Sequence, residues 1–164
     1  MPYDFSEQLR IGKAEEEKLD RLWGNARILD VSDDPAWQKQ GIDRVLELSD
    51  GRRVPVEYKA DFIAHRTGNL IFELVSVDTT GTPGWGLTSR ADYLVYLIAK
   101  TDEVYFIRLP DLRQWVLSRK SEFREVAADN GGYRTISLLV PLHRLEQLSF
   151  VKKLSLKSMR LNLP

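Results

Sequence analysis

The chain has 164 residues, no cysteine, two histidines, and 24 basic against 24 acidic side chains. That length suits a single domain with a core of its own. The missing cysteine excludes a disulfide scaffold, a thiolate metal centre and a cysteine nucleophile. His65 and His143 stand far apart, which argues against an imidazole-rich zinc centre and leaves oxygen as the expected metal ligand. The balanced charge argues against a uniformly basic coat for DNA but leaves local patches open.

The opening MPYDFSEQLR lacks the basic flank and apolar run of a secretory signal. No segment approaches the ~18 apolar residues of a membrane span, so a cytoplasmic location and no membrane partner are expected. From Asp4 to Trp23, an imperfect apolar stripe of Phe5, Leu9, Ala14, Leu19, Leu22 and Trp23 predicts a surface helix, firm over Lys13 to Trp23 and broken near Gly12. GNARILDVSDDPAWQKQ then reads as a short strand and an irregular loop.

Ile42 to Leu48 and Val54 to Lys59 alternate as strands around the turn SDGRR, and LIFELVSV follows the turn HRTGN as a third strand, which predicts a meander. The loop DTTGTPGWGLTSR leads to ADYLVYLIA, an apolar run expected of a strand covered on both faces, with EVYFIRL as its neighbour. PDLRQWVLSRK starts with Pro and Asp as helices do. From Ser121 a short helix, a Gly-Gly turn, a strand and a further helix are predicted, ending in Lys152, Lys153, Lys157 and Arg160 with no acid among them. The expected architecture is α/β in one domain, with residues 1–120 as its core and 121–164 as an extension with a basic end.

Asp43, Glu57 and Lys59 are out of place in an ordinary hairpin. Glu57 and Lys59 share one face of their strand, and Asp43 on the preceding strand can join them if the register allows. Two carboxylates on rigid strands beside a backbone carbonyl offer a hard oxygen site for Mg²⁺ or Mn²⁺, and a neighbouring lysine stabilises an attacked phosphate. Asp plus Glu-x-Lys is thus a minimal phosphodiester hydrolase. The same residues can also be a solvent-facing cross-strand pair with no chemistry.

GKAEEEKL, GID at Gly41 to Asp43 and VEYK at Val56 to Lys59 together resemble the PD-(D/E)XK nuclease superfamily over about the first hundred residues, and within it the small archaeal-type Holliday-junction resolvases that phages also carry. Ile42 stands where that motif usually has proline. The resemblance implies a restriction-endonuclease-like core, a mixed central sheet flanked by helices. It implies a Mg²⁺-dependent endonuclease that cuts branched DNA with metal-activated water, leaves a 5′-phosphate and works as a homodimer in a prokaryotic cell or as a phage protein in its host. Asp43 and Glu57 would hold the metal, Lys59 would be the catalytic lysine, and Glu16, four residues after Gly12, the helix carboxylate. Glu15 and Glu17 compete with Glu16, because neighbours on a helix lie ~100° apart.

Other candidates are weaker. Glu73 extends the carboxylate cluster or bridges to an arginine. Ser32 sits near the site or forms a turn with Asp33 and Pro35. Trp85 stacks on a base or belongs to the core, and His65 reads as a surface residue. Lys13, Arg52, Arg53, Arg66 and Arg90 are expected to contact backbone phosphates.

Overall fold

The computed structural model describes residues 5–24 and 26–157. Helix α1 (Phe5–Asp20) opens the chain and passes through Gly12 without a break. One glycine costs a helix interior about 1 kcal/mol, and the lysine, alanine and three glutamates after it are helix formers. Strand β1 (Arg27–Asp30), the turn α2 (Pro35–Gln38), β2 (Arg44–Glu47) and β3 (Arg53–Asp61) follow. Then come α3 (Ala64–Thr67), β4 (Asn69–Val77), β5 (Thr82–Pro83), α4 (Trp85–Thr88), β6 (Tyr93–Ile98), β7 (Glu103–Arg108) and α5 (Leu109–Ser118). A 3-10 turn, β8 (Arg124–Asp129), β9 (Arg134–Pro141), α6 (Leu142–Leu145) and β10 (Val151–Ser155) complete the order.

Among the described residues the strands form two sheets. The first is six-stranded and mixed, in the order β1-β2-β3-β6-β7-β10, with β3 and β6 its parallel pair. The second runs β5-β4-β9-β8, and its pairs are antiparallel. The fold is therefore mixed α/β, with a mixed central sheet and few helices. No helix among the described residues is long and apolar enough to cross a membrane.

Side-chain alternation assigns the two faces of the central sheet. Val56, Tyr58, Val95 and Leu97 turn toward α1 and bury Leu19, Leu22 and Trp23. Leu94, Tyr96 and Ile98 turn the other way, onto Leu70, Phe72, Leu138 and Val140 of the second sheet and onto Leu112 and Val116 of α5. Helices on both faces were expected; instead a sheet covers most of the second face. The meander is likewise β1-β2-β3, and LIFELVSV leaves it to pair with β9. A strand with apolar residues at alternate positions fits either sheet equally well, and the turn HRTGN does not say where the chain goes next.

The region after Ser121 also differs from its reading. The predicted short helix is a 3-10 turn followed by β8, and the last predicted helix is the single turn α6. Nor do these residues form a separate layer, since β9 completes the second sheet and β10 lies on the edge of the first. The basic end is partly neutralised there: Lys153 pairs with Glu103 at 2.9 Å and Glu146 at 3.1 Å, and Arg160 lies outside the described residues.

The two layers share polar ties as well as apolar ones. Asp61 ends β3, accepts N–H bonds from Ile63 and Ala64 at 2.8 and 2.7 Å, and takes the hydroxyl of Tyr96. The Tyr96 oxygen accepts the N–H of Ile71 on β4, so each member of this buried chain is satisfied. Phe72 is fully buried between the sheets and packs on Trp85 at 5.5 Å. Phe72→Ala should lower unfolding free energy by about 3–5 kcal/mol in urea titrations. Val126→Ala on the exposed β8 should cost under about 1 kcal/mol.

Candidate functional site

Register converts the sequence pattern into a site. Arg44 pairs with Val56, so Asp43, one residue before β2, falls opposite Glu57. The Asp43 amide donates to Val56 O at 3.0 Å, and its Oδ2 accepts the Tyr58 N–H at 2.8 Å. Asp43 and Glu57 therefore sit where β2 and β3 part company. A cleft of about 340 Å³ opens there, lined by Glu16, Asp43, Glu57 and Lys59 together with Gly12, Lys13, Ser32, Asp33, Gln38, Gly41 and Ile42. All four expected catalytic residues meet in it.

Glu16 is the acid of its run that faces this cleft. Glu15 is buried and takes Lys18 at 2.8 Å, and Glu17 is exposed. Burial and the charge of Asp43 push the Glu16 carboxyl up to about 7, against the opposing pull of Arg44. Glu57 is 2% exposed; its Oε1 accepts Lys59 Nζ at 2.9 Å, and its Oε2 has no hydrogen-bond partner. Burial raises its pKa, and Lys59 only partly offsets that. Burial pulls Lys59 down, but the carboxylates of Glu57 and Asp43 outweigh it and hold the ammonium above its usual range.

Sequence reading missed Arg44, Asp20 and Asp30. Arg44 is buried, and its guanidinium donates to Asp20 at 3.0 Å, Asp30 at 2.9 Å and Glu16 at 3.2 Å, as well as to the Asp43 carbonyl at 3.0 Å. Tyr58 carries the network inward: its hydroxyl donates to Asp20 at 2.9 Å and accepts Trp23 Nε1 at 2.6 Å. One signal was available. Arg44 starts β2 on the face that it shares with the buried Leu46, toward α1, and an arginine there needs acids nearby.

The α4 segment does not line the cleft but backs the Gly41 loop that does. A Cβ on Gly86 would stand 2.5 Å from the Phe72 ring and 2.6 Å from Glu73 O, so only glycine lets this turn lie on β4. Arg113 of α5 holds the turn by donating to Gly86 O at 2.7 Å and Ser89 O at 2.5 Å. The Ser89 hydroxyl donates to Gly41 O at 2.9 Å, bracing the loop before Asp43, and it lies close enough to Glu57 to favour that carboxyl's charged form. Gly41 has φ +65°, and a Cβ there would meet Ser89 at 3.0 Å. Trp85 is half-buried on Phe72, with Lys59 Nζ 5.8 Å from its ring centre, which makes it mainly a core residue. Glu73 accepts the Trp85 N–H at 3.4 Å and adds to the negative field on Lys59, with no bridge to arginine among the described residues.

The remaining candidates divide. Ser32 lines the cleft, but its hydroxyl donates to Asp30 at 2.6 Å, a turn closed by Asp30 and not by Asp33 or Pro35. Lys13 lines the cleft and pairs with Asp33 at 3.1 Å. Arg90 is exposed beside the Gly41 loop, its amide on Gln40 O at 2.8 Å. Arg66 and His65 are exposed on α3. Arg52 and Arg53 are not brought to the cleft. They pair with Asp50 and Glu47 around the β2-β3 turn, roughly 13 Å along β3 from Glu57.

Four carboxylates and two ammonium groups line the cleft, so it favours a cation. The donors fit a hard divalent ion: Glu57 Oε2 is buried and orphaned, and Asp43 Oδ1 has no hydrogen bond among the described residues. No three acidic or imidazole side chains close around one point among those residues. The chain would thus supply two carboxylates and leave the other positions to water and substrate. No family model, curated protein or solved structure matches this chain.

The Glu16 carboxyl sets a pH test. Folding favours its protonated form, so its contribution is fully present below about pH 4.5 and is lost as pH rises through about 7. Glu16→Gln stays neutral throughout. The stability of Glu16→Gln relative to the parent, read from urea midpoints, should therefore rise between pH 5 and 7.5; a difference that is flat with pH would contradict this.

Proposed function

We propose that the chain is a divalent-metal-dependent phosphodiester hydrolase of the PD-(D/E)XK kind, acting on DNA. The observation that carries the reading is Glu57 Oε2, a buried carboxylate oxygen with no partner, beside Asp43 and Lys59. Glu57 has one donor, Lys59, so only its second oxygen is left costly; Glu15 Oε2 is unmatched too but lies outside the cleft, whereas Glu57 Oε2 sits where a cation beside Asp43 would complete it. Asp43 and Glu57 would hold the ion. Bound Mg²⁺ or Mn²⁺ would supply Lewis-acid polarisation of the phosphate and acidify a water.

The chain's own residues account for the remaining tasks. Lys59 carries a full positive charge and is partly open to the cleft, so it can donate to a non-bridging phosphate oxygen as charge builds there. Glu16, poised near neutrality, can orient a water and take its proton. Lys13 lines the cleft and Arg90 stands beside the Gly41 loop, where both suit backbone phosphates, whereas Arg52 and Arg53 would need a duplex that reaches the far hairpin. Four-way junctions as substrate follow from the resolvase resemblance. With such a substrate a two-fold homodimer fits, because two opposed strands need two equivalent sites.

A second reading, a DNA-binding module that does not cleave, is favoured by the 2.9 Å pair between Lys59 and Glu57, which already neutralises one carboxylate oxygen. One assay separates the two. Labelled four-way junction, linear duplex and single strand are incubated with the protein in Mg²⁺, Ca²⁺ and EDTA. The hydrolase reading predicts Mg²⁺-dependent cleavage, with paired symmetric nicks on the junction. Asp43→Asn, Glu57→Gln and Lys59→Ala should each lower it at least about a hundredfold while DNA affinity stays near the parent's; Lys59→Ala, which leaves the buried Glu57 without its partner, should also lower the melting temperature. Tight DNA binding without cleavage in any metal would overturn it.

A further inference from the structure

We propose that Arg44 is the positioning residue of the cleft, holding the Glu16 carboxylate at the oxygen site formed by Asp43 and Glu57. The inference rests on the reading of that site as cation-binding. Asp43 and Arg44 are consecutive, so their side chains leave opposite faces of the sheet. Asp43 joins Glu57 on one face, and Arg44 meets α1 on the other. One peptide unit thus ties the metal-facing carboxylate to the guanidinium that grips the helix.

The grip is specific to a planar fork. Nε donates to Asp20 at 3.0 Å, and Nη1 reaches Glu16 at 3.2 Å, Asp30 at 2.9 Å and Asp43 O at 3.0 Å. The guanidinium lies 5.1 Å from the centre of the Tyr58 ring. Tyr58 in turn bonds Asp20 through its hydroxyl and Asp43 through its backbone N–H. The contacts therefore close a ring from Arg44 through Asp20 and Tyr58 to Asp43, with Glu16 held from inside it. Glu16 is the gripped acid that also lines the cleft; Asp20 and Asp30 do not. Nη1 serves Glu16, Asp30 and the Asp43 carbonyl while Nε serves Asp20, so a lysine, with one nitrogen, can reach one group of acceptors but not both.

The test is a double-variant cycle read as Mn²⁺ affinity by titration calorimetry, with cleavage measured in parallel. Arg44→Lys keeps the charge, so the long-range attraction for a cation is unchanged and only the grip is lost. Arg44→Lys and Glu16→Gln should each weaken Mn²⁺ binding about tenfold, the scale of lost support around a metal ligand. In the Glu16→Gln background, Arg44→Lys should add nothing, because it acts through Glu16. In cleavage, kcat should follow the same pattern with KM little changed.

Arg44→Lys binding like the parent, or losses that multiply in the double variant, would overturn the proposal. A parent that binds no Mn²⁺ overturns both the proposal and the reading beneath it. A parent that binds Mn²⁺ but cuts no DNA defeats only the hydrolase reading, and the binding cycle still decides. If Arg44→Lys fails to fold, Tyr58→Phe replaces it, since it loosens Asp20 and leaves every charge in place. Its smaller loss must vanish beside Glu16→Gln, and no loss at all overturns the proposal.

Discussion

The buried guanidinium of Arg44 is the constraint on which the cleft depends. Taking it out of water costs several kcal/mol, which is recovered only if its donors are matched. The match comes from three acids on two elements, Glu16 and Asp20 on α1 and Asp30 at the end of β1. Helix, edge strand and central strand are thereby held in one relation. Apolar packing of Leu19, Leu22 and Trp23 brings α1 to the sheet but leaves its rotation and sliding loosely set. The ion pairs remove that freedom, and the face of α1 that carries Glu16 is turned to the cleft.

The second sheet acts on the cleft indirectly, through the α4 turn behind the Gly41 loop. Where a helix would present a convex surface, β4 presents a flat one, and Gly84 and Gly86 let the α4 turn sink onto it. Arg113 then fixes that turn through two carbonyls, and Ser89 passes the constraint to the loop before Asp43. The cost of this close construction appears at Glu57, which is buried with one oxygen unmatched. An anion held in this way costs stability, which is the cost the proposed cation would offset.

Much of the site was legible in the sequence because it lies on local pattern. Period-two alternation put Glu57 and Lys59 on one face, and the Asp-Gly turn marked the hairpin, while the register that brings Asp43 opposite Glu57 came only from the fold. The choice of Glu16 over Glu15 and Glu17 depended on resemblance, and the fold gives the physical reason: Glu15 turns into the core and Glu17 to solvent. What was not legible is non-local. Nothing in LIFELVSV distinguishes a third strand of the meander from the centre of another sheet, and its partner β9 lies more than sixty residues on. Arg44 escaped notice for a related reason. Its three acids are spread over residues 16 to 30, and only the folded chain gathers them. Composition likewise sees the positive charge of Arg52 and Arg53 but not that their end of the strand lies away from the cleft.

The central claim is that Asp43 and Glu57 hold a divalent cation. Anomalous diffraction from crystals grown with Mn²⁺ tests it most directly. The account predicts a manganese peak between Asp43 Oδ1 and Glu57 Oε2, about 2.1–2.3 Å from each oxygen. Crystals in which those two oxygens carry no peak at millimolar Mn²⁺, with Lys59 still seated on Glu57, would contradict it.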